Sequence, residues 1–151
     1  MLIFQEETNM FDNLNRYISE GRYAEAEILV SSEDRSLREV FLNMAYDTES
    51  IAICTFLIYM YNKHTDTIWL DLIIEIMLNP LCHIEGAYSV ALFYARELVR
   101  VSPSVRNREQ LLFFYQLPEK LISEDEAIEV SKEILKQEPD NMVAKKVLYS
   151  L

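Results

Sequence analysis

Apolar positions along this chain recur with the rhythm of helices that each bury one face. The clearest case lies between residues 65 and 79. There Ile68/Trp69, Leu72/Ile73 and Ile76/Met77 repeat every four residues while Asp71, Glu75 and Asn79 hold the opposite stripe. The same reading predicts helices over residues 9–19 (Phe11, Leu14, Tyr17, Ile18), 22–30 (Tyr23, Ala26, Val30) and 33–46 (Leu37, Val40, Phe41, Met44, Ala45). Residues 51–61 are apolar on nearly every face, Thr55 apart, which marks a helix surrounded by the others. Further helices follow over 84–101, with Ala87, Ala91 and Ala95 in one row beside Leu98 and Val99, and over 104–116. An eighth runs from about 123 to 137, with Ala127, Val130, Ile134 and Leu135 inward and Lys132 and Lys136 outward, and a ninth carries Val143, Val147 and Leu148.

Start and stop signals agree with these windows. Thr8 or Asn9, Asp47 or Thr48, Thr65-Asp66, Ser104, Ser123 and Asp140 are the expected N-caps, and Ser123 with Glu126 has the spacing of a capping box. Gly21, the turn Ser31-Ser32-Glu33-Asp34 and Pro80, Pro103, Pro118 and Pro139 separate the helices. The expectation is an all-α fold of about nine helices, arranged as antiparallel hairpins stacked into a short α-solenoid, in a single domain over residues 1–151.

Composition supports helices over sheets, since the 151 residues include only 2 glycines and 4 prolines. Half of the chain is apolar, enough to bury roughly two-thirds of the surface exposed by the unfolded chain. Cys54 and Cys82 are expected as reduced core thiols rather than a disulfide. Residues 1–7 contain no basic group and residues 51–61 are too short to span a bilayer, so a soluble, cytoplasmic protein is expected.

Charge narrows the partners. The formal net charge is −11, and residues 1–95 hold 15 acidic against 5 basic groups. Residues 96–108 reverse the sign with Arg96, Arg100, Arg106 and Arg108 against Glu97. Direct nucleic-acid binding needs a net positive footprint and is disfavoured. A basic protein is the natural partner.

Both glycines stand in one phrase. Glu20-Gly21-Arg22-Tyr23-Ala24-Glu25-Ala26 and Glu85-Gly86-Ala87-Tyr88-Ser89-Val90-Ala91 each read E-G-x-Y-x-x-A, 65 residues apart. The second copy is followed by Pro103, twelve residues after Ala91, and Ala127 and Pro139 repeat that last interval 36 residues on. Gly86, Tyr88, Ala91 and Pro103 resemble the second half of a tetratricopeptide repeat in this order, with Ala127 and Pro139 matching its close and Gly21, Tyr23 and Ala26 its opening. The spacings depart from the 34 residues of that family, and residues 33–79 carry no match. The resemblance implies stacked helical hairpins whose curved surface grips a partner.

No phosphate-binding glycine loop, G-x-S-x-G or H-E-x-x-H is present, and neighbouring residues such as Cys82 and His83 point apart in a turn. No catalytic residue, cofactor or metal is expected. The candidate partner-binding residues are Asp47, Glu49, Asp66, Asp71 and Glu75, because six acids face a single Lys63 between Asp47 and Glu85. Phe113, Phe114 and Tyr115 cannot all face inward on one helix, so Tyr115 is a candidate aromatic anchor. The four arginines are expected to pair with acids of neighbouring helices. The function these features point to is a stoichiometric inhibitor of the immunity-protein type, occluding a basic toxin or nuclease. The alternative is a tetratricopeptide-like adaptor or chaperone for a peptide or secreted client.

Overall fold

A computed structural model describes residues 2–33 and 35–151, with the backbone alone for residues 2–9. Among them the chain is all-α: α1 (Leu2–Ser19), α2 (Tyr23–Ser31), α3 (Leu37–Thr48), α4 (Ala52–His64), α5 (Thr67–Leu78), α6 (Ala87–Val101), α7 (Val105–Gln116), α8 (Glu124–Gln137) and α9 (Met142–Tyr149), with no strand among the described residues. Contacts within the chain fall into two compact units, Met1–Tyr88 and Ser89–Leu151.

In the first unit α1 pairs with α2 and α4 with α5 as hairpins, α4 also meets α1 and α2, and α3 packs on α1 and α5. The uniformly apolar stretch becomes the centre of this unit, as its pattern predicts. Ile53, Phe56 and Leu57 of α4 are sealed from solvent, and the Phe56 ring lies 5.4 Å from Tyr23, 6.0 Å from Phe41 and 6.1 Å from Tyr59. Ile51, 49% exposed just before α4, and Thr55 are the outward exceptions. Burial pushes the Cys54 thiol up to about 11, so it stays protonated and unreactive at neutral pH. Cys82 does not share that core. It is exposed in the turn after Pro80, where the helix has already ended.

Several helix ends differ from the expected ones. Thr8 and Asn9 lie within α1 instead of capping it, because the helix begins at Leu2; their side chains are outside the described residues, as is Asp34 of the predicted turn. Asp47 and Thr48 form the last turn of α3 and do not cap α4; the Thr48 hydroxyl donates back to Met44 O at 2.8 Å. The stop comes from Glu49, which adopts the left-handed conformation at φ 51°, and Thr65 closes α4 the same way at φ 53°.

The twin glycine phrases have different structural roles. Gly21 (φ 72°) ends α1: its N–H reaches Ile18 O at 3.1 Å while the Arg22 N–H reaches Tyr17 O at 2.7 Å, the paired bonds of a Schellman motif. Gly86 (φ 81°) closes no helix; it sits in a turn, Ala87 N–H to Ile84 O at 3.0 Å, leading into α6.

In the second unit α7, α8 and α9 pack consecutively and α7 also reaches α9. Leu111, Leu112, Phe114, Ile122, Ala127, Ile134, Ala144 and Val147 are buried, as are Ala91, Ala95 and Leu98 of α6. Ser104 and Ser123 cap as their positions predict, accepting from the N–H groups of Asn107 and Glu126 at 3.1 Å. Only half of the capping box forms, because Glu126 turns to Arg96 instead of back to the cap. Asn141, not Asp140, caps α9; Asp140 is fully exposed and pairs with Lys145 at 3.0 Å.

Candidate functional site

The expected acidic stripe is divided among several roles in the first unit. Asp66 is the N-cap of α5, its Oδ1 accepting from Ile68 N–H at 3.1 Å. Glu75 is engaged by Arg38 of α3 through a two-point contact, with Nε to Oε2 at 3.0 Å, which raises the arginine pKa further. Asp71 is half-buried in the middle of α5. Asp47 and Glu49 are exposed at the C-terminal end of α3, where His83 Nε2 stands 3.9 Å from Glu49. The thirteen residues of α4 separate that end from Asp66, about 20 Å at the helical rise. The exposed acids of the predicted set are therefore Asp47 and Glu49 at one end and the capping residue Asp66 at the other.

Tyr115 is also placed differently from the expectation. It is buried, at 8% exposure, and the outward aromatic of the triplet is Phe113 at 39%. Phe114 is sealed in the core. Arg96 of α6 behaves as expected, making a two-point contact with Glu126 of α8 at 2.9 and 2.7 Å, whereas Arg100 pairs with Glu97 of its own helix, three residues away. Arg108 donates to Pro103 O at 3.4 Å.

Sequence reading missed a polar cluster centred on Glu27. Glu27 of α2 accepts from Lys63 Nζ at 2.8 Å and the Tyr59 hydroxyl at 3.1 Å, and its other oxygen meets His64 Nε2 at 2.8 Å. Hydrogen bonds from Lys63 and then His64 hold the Glu27 carboxyl at about 2. These partners are 32 to 37 residues away in sequence, so no local motif marks them. Beside this cluster is a cavity of about 370 Å³ with Val30, Leu37, Met60 and Trp69 as apolar lining and Ser31, His64 and Asp66 as polar lining. Its surface combines an aromatic wall with a carboxylate, a combination that accepts an apolar stem ending in a cation.

Charge is divided as unevenly as these roles. The unit Met1–Tyr88 contains 15 acidic and 5 basic residues, a formal −10, whereas Ser89–Leu151 contains 10 and 9, a formal −1. No protein family, curated protein or solved structure matches the chain. Among the described residues no helix is long and apolar enough to cross a membrane.

Proposed function

We propose that the chain is a protein-binding module that inhibits a basic partner stoichiometrically, in the manner of an immunity protein occluding a toxin or nuclease. The observation that carries this reading is the concentration of charge: a formal −10 within the 88 residues of the first unit. Such a field accelerates encounter with a cationic surface and rejects anionic ones. Asp47 and Glu49 at one end of the unit, and Asp66 at the rim of the α4–α5 turn, present that field to solvent. The cavity beside Trp69 and Met60 suits a lysine or arginine stem from the same partner.

The test is capture of the partner from native lysate, followed by association kinetics at rising salt. Charge reversal at Asp47, Glu49 and Glu85 is the informative variant, because all three are exposed and their reversal spares the Arg38–Glu75 contact. Association is expected to slow about tenfold in the variant and to slow with salt in the parent. Association that is indifferent to both changes refutes the electrostatic mechanism.

A second reading, an adaptor or chaperone for a peptide client, is favoured by the apolar lining of the same cavity and by the resemblance around Gly86, Tyr88, Ala91 and Pro103. Under it, binding survives high salt and is lost on Trp69→Ala.

A further inference from the structure

The second unit contains a cavity of the opposite character. About 490 Å³ in volume, it is lined by Tyr115 and Gln116 at the end of α7, Lys120 in the following turn, and Lys146, Val147 and Ser150 at the end of α9. Among the described residues no carboxylate lines it. Elsewhere Lys63, Lys136 and Lys145 each close on an acid, and Lys132 closes on none among the described residues but lines neither cavity. Lys120 and Lys146 close on none among the described residues, so two full positive charges face one cavity in a chain of net charge −11.

Lys120 is held there by its backbone. It occupies the left-handed region at φ 44°, donating its N–H to Leu117 O at 2.9 Å, a conformation that favours glycine or asparagine. Its ammonium lies 4.9 Å from the centre of the Tyr115 ring, which forms one wall. A cation–π contact positions that charge without neutralising it. Ser150 already donates to Val147 O at 2.8 Å, so the neutral donors available are the Gln116 amide and the Tyr115 hydroxyl.

We propose that this cavity binds a small phosphate monoester. Two ammonium groups match the dianion, and lysine serves phosphate as a point charge, with amide and hydroxyl donors completing the oxygens. The volume is that of a site for an organic molecule rather than for one bare oxyanion, with the exposed aliphatic stems of Lys120 and Lys146 as apolar surface for its body. An extended polyanion does not fit, because the acidic chain repels it beyond these two charges.

The probes are phenyl phosphate and inorganic phosphate, titrated separately into the full chain at low salt and followed by backbone amide shifts. Saturable shifts confined to residues 115–120 and 146–150 are expected, with phenyl phosphate binding about tenfold more tightly than inorganic phosphate. Lys120→Met and Lys146→Met, both at exposed positions, are each expected to weaken phenyl phosphate about tenfold with thermal stability retained. Lys132→Met, on the exposed face of α8 away from the cavity lining, is expected to leave binding unchanged. Absence of saturable shifts up to about 10 mM refutes the site. Equal weakening by Lys132→Met refutes its locality, and equal affinity for the two probes refutes the organic ligand.

Discussion

Asn141 does three things with one amide, and a pair of substitutions separates them. Its Oδ1 accepts from Ala144 N–H at 3.0 Å, capping α9, while its Nδ2 donates to Glu109 Oε1 and, at 3.0 Å, to Glu138 Oε2. The residue is 9% exposed. Asn141→Ala removes a cap contributing about 1 kcal/mol and leaves the half-buried Glu109 carboxylate without its donor, a further 1.5–3 kcal/mol or about that. Glu138 is exposed and regains water. The expected loss is about 3 kcal/mol, with no titrating group added.

Asn141→Asp keeps the capping oxygen but replaces the donor with a carboxylate oxygen facing two glutamates. Two like charges 4 Å apart repel by about 4 kcal/mol at an effective dielectric of 20, and movement of Glu138 relieves part of this. The loss at pH 7 is therefore again about 3 kcal/mol. The two variants diverge in acid. The introduced carboxyl is harder to ionise in the folded state than in the unfolded one, so its penalty is present at neutral pH and vanishes below the unfolded value of about 4. Urea unfolding followed by far-UV circular dichroism at pH 7, 5.5 and 4 reads both deficits. A constant deficit for the aspartate variant, or none at pH 7, refutes the assigned roles of the amide.

Two further outcomes follow from backbone conformation and from Glu27. Gly21→Ala is expected to lower stability by about 1 kcal/mol by thermal or urea unfolding, because φ is +72° although the space around the site is open; Gly21→Asn should cost less. Because Lys63 and His64 hold the Glu27 carboxyl at about 2 against an ordinary 4.5, its stabilising contribution is complete above pH 4.5 and is lost as pH falls toward 2. The difference in urea midpoint between the parent and Glu27→Gln should thus be level at neutral pH and shrink through that window; a difference that is flat down to pH 2 contradicts the cluster.

The helices were legible in the residue pattern because a period of 3.6 is a local property. Trp69 to Met77 announces the buried side of α5, although Ile68 of the same stripe is 38% exposed at the helix start, the caps Ser104 and Ser123 lie where their hydroxyls precede an apolar run, and the apolar stretch 51–61 forecasts the core position of α4. Boundaries were less so. Asp47 and Thr48 look like caps, yet they finish α3 because Glu49 adopts the left-handed turn behind them, and Asp140 yields to Asn141 because the amide also reaches Glu109, 32 residues away. The E-G-x-Y-x-x-A phrases are identical in chemistry, but Gly21 stops a helix and Gly86 only leads into one.

By itself, then, the sequence determined the helical class, the buried faces and the acidic balance, since each follows from residue type and spacing along one segment. Only tertiary structure decided what the charged groups do. It made Asp66 a cap, gave Glu75 to Arg38, gathered Tyr59, Lys63 and His64 onto Glu27, and brought Lys120 and Lys146 to one cavity. A charge acts through its partners, and partners from distant segments are set by packing rather than by periodicity.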